Sequence, residues 1–286
     1  MRDMLRPADR PSARSRGRPK AFHDRTAAAV IQSLDRAVGV LRVVAGGTGL
    51  SLTEVAQAAG QSPATCYRIL TTLRRHGIVE FEEAGQLWRI GPEAFRIGSA
   101  FLGRTRMSEL SRPVMQRIMA ETGETANLAI LDGTEVMFVS QVETNEPIRA
   151  FFRPGTRGPG HASGIGKAIM AWLPAARLEG LLGGTLERFT PRTRATAEAL
   201  REDLAAIRVR GWAVDDEERT EGMRCIAAPV FNQWGEPVAG ISVSGPAVRM
   251  RPVRDEATGR LVRAAADEIT RATGGVVPPA AGGAGD

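Results

Sequence analysis

The sequence predicts an α+β protein of two folded units, and three observations carry that prediction. Helical periodicity with capping and stop signals runs from residue 29 to 91 and closes on a short hairpin pattern. A longer stretch, 107–273, mixes hairpins with segregated helices, as an antiparallel sheet with helices would. Between them, 92–106 reads as one linking helix. The 286 residues, 43% hydrophobic and 24% charged, are enough for two cores and exclude a wholly unfolded chain.

Residues 1–28 lack periodic apolar positions and read as a disordered basic arm. Its eight basic residues face three acidic ones, so most of the net charge of +6 sits there. A basic arm on a near-neutral body suits a polyanion. The arm has no amphipathic face and the chain has no long apolar run, which argues for nucleic acid and against a membrane. No apolar leader follows Met1, so a cytoplasmic location is expected. Cys66, Cys225 and three histidines are too sparse for a disulfide framework or a spaced zinc site, and neither a metal nor a cofactor is expected.

From Ile31, the residues Leu34, Ala37, Val38, Leu41 and Val44 recur at helical spacing, and Gly46-Gly47 ends the helix. Ser51 then starts a short helix with Leu52, Val55 and Ala56 inward, closed by Gly60. Ser62-Pro63 starts a third, a cap residue followed by proline where the missing N–H is harmless. Its inward stripe is Cys66, Ile69, Leu70 and Leu73. Ile78 to Ile90 alternates around Glu83-Ala84-Gly85, as a hairpin does. This order is that of a winged helix-turn-helix. The third helix is its recognition helix, with Ser62, Thr65, Tyr67, Arg68, Thr71 and Thr72 as DNA-contacting residues: arginine for a guanine edge or phosphate, hydroxyls for phosphates and bases. An ordinary solvated helix face is the alternative. Arg16 and Arg18 flank Gly17 in the arm, a pattern that suits a narrow minor groove and equally a simple basic tail.

A helix over 93–103 carries Phe95, Ile97 and Phe101 outward, and another runs from Met107 to Glu121. Strands are expected at Thr125–Leu131, Glu135–Val142, Pro147–Phe152, Cys225–Phe231 and Val238–Ser244, with Arg153–Gly160 as a loop. Helices are expected near 164–173, 176–182, 196–210 and 254–272, and 274–286 reads as a disordered tail.

Several blocks, in order, resemble one family. They are Leu50-Ser-Leu-Thr-Glu-Val-Ala with Tyr67-Arg-Ile-Leu-Thr-Thr-Leu, Gly123-Glu-Thr-Ala-Asn-Leu-Ala-Ile130, His161-Ala-Ser-Gly-Ile-Gly-Lys-Ala168, Val214-Asp-Asp-Glu-Glu218, Gly222-Met-Arg-Cys-Ile-Ala-Ala-Pro229 and Ile241-Ser-Val-Ser-Gly-Pro246. Together they resemble the IclR family of transcriptional regulators, over about Val30 to Thr273. The arm, the 162–168 block and the paired serines look most like the glyoxylate-responsive repressors of allantoin use and regulators of glyoxylate assimilation. The resemblance implies a GAF-like effector-binding domain, a homodimer through winged and linker helices, often a dimer of dimers, and a palindromic site on double-stranded DNA.

It also directs attention to a small-carboxylate site. Gly164 and Ile165 open a helix, where free N–H groups and the dipole favour an anion. Ser242 and Ser244 share one face of a strand, Cys225 begins another, and Asp215 can accept from a ligand hydroxyl. In glyoxylate-binding relatives the corresponding positions contact the ligand, so the resemblance implies glyoxylate, with another small or aromatic acid as alternative. Lys167 would either attract the anion or point to solvent. Paired serines are otherwise commonly solvated and a lone cysteine is commonly core. A Cys225–His161–Asp215 catalytic set has nothing in the sequence to assemble it, and an architectural DNA-binding role leaves the large second domain unexplained, so an enzyme is not expected.

Overall fold

The computed structural model describes residues 30–103 and 107–279, in two units that divide between Ile97 and Gly98. The expected arm, with Arg16 and Arg18, lies outside the described residues.

The first unit contains α1 (Gln32–Gly46), α2 (Leu52–Ala58), α3 (Pro63–Arg75), the hairpin β1 (Val79–Glu82) and β2 (Leu87–Ile90), and the start of α4 (Pro92–Gly103). Ser51 starts α2 with a capping box: its hydroxyl accepts from Glu54 N–H, and the Glu54 carboxylate accepts from Ser51 N–H at 2.8 Å. The core joins Val40 and Val44 of α1, Val55, Cys66, Leu70, Val79 and Trp88. The expected α1 stripe is therefore half right. Val44 is buried, but Leu34 and Val38 point outward, because the helix turns Val40 into the core and leaves a second apolar stripe uncovered. The hairpin gains a bridge missed in the sequence: Leu50 and Trp88 exchange both backbone hydrogen bonds, at 2.8 and 3.1 Å.

The second unit comprises α5 (Met107–Thr122), β3 (Thr125–Asp132), β4 (Glu135–Val142), β5 (Arg157–Pro159), α6 (Gly164–Met170), α7 (Ala175–Leu182), α8 (Ala197–Arg210), β6 (Ala213–Asp216), β7 (Met223–Phe231), β8 (Pro237–Pro246) and α9 (Asp255–Ala272). Its sheet is antiparallel throughout, in the order β5-β4-β3-β8-β7-β6. Helices cover both faces. Ile226, Ala228, Val230, Ile241 and Val243 pack with Met115 and Ile118 of α5 and Val262 and Ile269 of α9. The alternate residue Ala227, with Ala129 and Val136, packs with Ile165 and Ile169 of α6 and Leu200 and Leu204 of α8. Burial on both faces is why β7 reads as a largely apolar run and why β8 is buried along nearly its whole length, its serines included.

Three expectations need correction. Pro147–Phe152 is not a strand: Pro147 lacks a donor, and the segment is held by side chains, with Thr125 Oγ1 donating to Ala150 O at 3.0 Å. Part of the expected loop at 153–160 forms β5, paired with β4 through Val136 and Gly158. The Val214 block supplies β6, the edge strand, which its mixed polar sequence concealed. Beyond α9, Gly275 N–H donates to Thr270 O and Val276 N–H to Asn232 O, so the chain stays against the domain there.

Candidate functional sites

In the first unit the exposed face of α3 carries Tyr67, Arg68, Thr71 and Thr72, with Arg74 and Arg75 at its C-terminal end. Cys66 and Leu70 anchor the opposite face, so the outward residues are held by a packed core. Ser62 and Thr65 are brought to the start of the helix but are occupied by each other: Thr65 N–H donates to Ser62 Oγ at 3.2 Å and their hydroxyls lie 2.9 Å apart. Thr72 Oγ1 donates to Arg68 O at 2.8 Å. The exposed Arg68 guanidinium, with Tyr67 and Thr71, is then the freest part of the expected set. Elsewhere in the unit, Ile31 at the start of α1 and Leu34 and Val38 within it are exposed, as are Phe95 and Ile97 of α4, with Phe95 76% exposed.

In the second unit the sheet register sets a row of polar side chains across one face. Asp215 is the cross-strand partner of Cys225, Cys225 of Ser244, and Ser244 of Thr125. Ser242 pairs likewise with Asn127, and Asn127 with Gln141. Gln141 Nε2 donates to Asn127 Oδ1 at 2.9 Å, and Asn127 Nδ2 donates to Ser244 Oγ at 3.2 Å. Ser242, only 1% exposed, ends the row differently: its hydroxyl finds no nitrogen or oxygen partner and is left with the neighbouring Cys225 thiol, a weak one. A buried hydroxyl so poorly satisfied keeps capacity for a further partner.

A cavity of about 120 Å³ lies over this row, lined by Ile165, Asp215, Cys225, Ser242 and Ser244 among others. Phe138 and Phe152, stacked at 4.4 Å, form an apolar wall. Gly164 stands where α6 runs against β7: a Cβ there would lie 2.9 Å from Cys225 Sγ. Ser163 caps α6, and the N–H groups of Gly164 and Ile165 start the helix without intrahelical acceptors. All six expected effector residues therefore converge on one place. A wider groove of about 780 Å³ borders the other sheet face at Ile226 and Val243, where Arg249 is bound by Glu124. It contains none of them.

Electrostatics distinguish the members. Burial, then the neighbouring Glu218 carboxyl, raises the Asp215 pKa to about 7, against the hydrogen bond its Oδ1 accepts from Glu218 N–H at 2.8 Å. Burial, then Asp215, pushes the Cys225 thiol up to about 11, so it is a neutral donor. Lys167 fits neither of its expected roles. It is fully buried behind the cavity, where Nζ donates to Asp203 Oδ2 at 2.6 Å, to Val214 O at 2.7 Å and to Glu218 Oε1. His161 is engaged with Glu187 O at 2.9 Å rather than with a nucleophile.

The sequence reading passed over Asn127, Gln141, Glu218 and Asp203. Asn127 left a usable signal: an amide inside the apolar run Ala126–Ile130 must find partners when buried.

Comparison with known proteins extends across both units. The family described as "Bacterial transcriptional regulator IclR C-terminal" matches residues 99–271, and the "IclR helix-turn-helix domain" matches 33–83. The chain is 50% identical over 261 residues to the HTH-type transcriptional regulator BhcR of Paracoccus denitrificans, covering 90% of this chain and 94% of that one. It is 39% identical over 272 residues to the transcriptional repressor IclR of Escherichia coli, covering 93% and 98%. Among solved structures, an IclR homologue from Microbacterium hydrocarbonoxydans complexed with 4-hydroxybenzoate superposes with a TM-score of 0.76 at 26% identity, covering 84% of this chain and 98% of that one.

Proposed function

The chain belongs to the IclR family of DNA-binding transcriptional regulators, and on that premise we propose that a small carboxylate, glyoxylate foremost, occupies the cavity over Ser242 and tunes promoter binding. The single observation that carries this reading is the buried Ser242 hydroxyl at the cavity, with no nitrogen or oxygen partner. An anion taken from water needs several fixed donors at once. The hydroxyls of Ser242 and Ser244, the Cys225 thiol and the N–H groups of Gly164 and Ile165 supply them, while Asp215 meets the aldehyde or its hydrate. The relative that binds 4-hydroxybenzoate supports a carboxylate as the class. The cavity, about 120 Å³, is small beside the roughly 300–1,000 Å³ of sites for drug-sized ligands, which favours a two- or three-carbon acid over an aromatic one.

Ser242→Ala tests this directly. Glyoxylate affinity should fall by about 1–3 kcal/mol, while the ligand-free protein loses little stability, because the hydroxyl has no stronger contact there than the Cys225 thiol. Calorimetry with glyoxylate, pyruvate, glycolate, oxalate and 4-hydroxybenzoate measures it. Tighter binding of 4-hydroxybenzoate than of every small acid would overturn the assignment.

On DNA, Arg68 is the base-reading residue of α3. Arg68→Ala should weaken binding to the operator by about 1–3 kcal/mol and leave binding to random duplex nearly unchanged. Equal losses in gel-shift titrations on both DNAs would reduce Arg68 to a phosphate contact. The exposed stripes at Ile31, Leu34 and Val38 and at Phe95 and Ile97 support a homodimer, with a dimer of dimers as the larger assembly and a palindromic operator to match.

A further inference from the structure

We propose that Arg219 is the cation that selects for anions at the mouth of the effector cavity, resting on the Phe189 ring when the cavity is empty and turning onto the ligand carboxylate when it is filled. This inference rests on the preceding reading of the cavity.

The charges around the cavity lead to Arg219 by elimination. An anion carried into the cavity over Ser242 gives up water, and a positive charge at the mouth would offset that loss. Four cations stand close by. Lys167 is behind the wall and held by Asp203 and Glu218. Arg157 is held by Asp132 and Glu135. Arg224 bonds Asp216 through Nε at 2.6 Å and Asp255 through Nη2 at 2.8 Å. Arg219 lines the cavity and has no acidic partner among the described residues. Its guanidinium carbon is 5.3 Å from the centre of the Phe189 ring, and its Nη1 would lie 3.5 Å from a Cβ built on Gly158, which also lines the cavity.

The backbone beneath Arg219 is already fixed. Glu217 takes a left-handed conformation, φ 60°, and its carboxylate accepts from Gly222 N–H at 2.7 Å, closing the loop at its base. Thr190 Oγ1 donates to Glu217 O at 2.8 Å, and Thr193 Oγ1 donates to Glu218 O. The exposed Arg219 side chain is then the part that turns. A cation resting on a ring at the protein surface is held weakly, so a carboxylate with fork geometry can replace it.

The test is calorimetry on the full-length protein with glyoxylate, pyruvate and 4-hydroxybenzoate, for wild type, Arg219→Gln and Arg219→Lys, each at low and high sodium chloride, with ligand-free melting curves alongside. A rim charge acts through long-range attraction and its effect is screened by salt. Arg219→Gln should bind the preferred acid about tenfold more weakly and lose most of the salt dependence, Arg219→Lys should fall between, and all three should melt alike without ligand. Wild-type affinity in Arg219→Gln would overturn the gate and leave the effector site standing. A salt dependence unchanged by the substitution, or a fall in the ligand-free melting point that matches the loss of affinity, would also overturn it, the latter by making Arg219 structural. If wild type binds none of the acids, the effector reading itself fails and the gate with it.

Discussion

Replacing Lys167 by methionine should destabilise the second unit by about 3–5 kcal/mol, the usual cost of removing one partner from a buried ionic cluster. The ammonium is fully buried, and its three donors are all used, by Asp203, Glu218 and the Val214 carbonyl. Methionine fills similar space and leaves two carboxylates facing each other. Asp203 keeps a contact with Arg210 at 3.4 Å, but Glu218, whose pKa burial already raises, is left with no cation in contact. The defect should shrink in acid, where the raised Glu218 carboxyl takes up a proton, so denaturant unfolding at about pH 8 and about pH 5.5 should show the larger loss at the higher pH. Adding Glu218→Gln should restore part of it. A loss under about 1 kcal/mol at both values would mean that Lys167 is not the centre of the cluster.

Effector affinity should depend on pH through Asp215. In the empty cavity its pKa is about 7, raised first by burial and then by Glu218. A bound carboxylate adds another negative charge and raises it further, so the complex holds a proton that the free site has begun to release. The sign follows: affinity is full below about pH 7 and falls by up to about tenfold per pH unit above it. The groups facing Asp215 are Glu218 and Asp216 of its own segment, Lys167 of α6 and Cys225 of β7. None of these partners is a histidine, and the Cys225 thiol, at about 11, stays neutral through this range. Titrations from about pH 6 to 9 in buffers of different ionisation enthalpy should show proton uptake on binding, lost in Asp215→Asn. Flat affinity in the wild type would place the ligand away from Asp215. For folding, the same raised carboxyl works the other way from a paired one: stability falls as pH rises from about 4 to about 7, because only the folded state keeps the proton.

Much of this was readable from local pattern. Caps, a proline at N1 and glycine stops fixed α2 and α3, since each signal satisfies a backbone group within a few residues. Ser242 and Ser244 were placed on one face by the two-residue period of a strand, and that face is the one over which the cavity lies. What periodicity could not supply was long-range pairing. The stripe of α1 was assigned to the wrong side at Leu34 and Val38 because two apolar stripes coexist on that helix and only tertiary packing chooses between them. Lys167 is hidden for a similar reason: a lone lysine reads as an anion contact or a solvated side chain until Asp203 and Glu218, 36 and 51 residues away, are brought to it. Arg219 could not be distinguished from other arginines, because what sets it apart, a place in the cavity lining with no acidic partner among the described residues, exists only in space.

The two-sided burial of the central sheet has a consequence for how this receptor can change its selectivity. Along β8, Ser242 and Ser244 line the cavity while Ile241 and Val243 pack with α5 and α9, in strict alternation. Cavity lining and core packing are thus written on interleaved positions of one strand that face opposite sides of the sheet. The same interleaving makes the strand intolerant of a shift: sliding β8 by one residue would present isoleucine and valine to the cavity and serines to the apolar core at once. Substitution is the open route to a new effector, and insertion or deletion in β8 is the closed one.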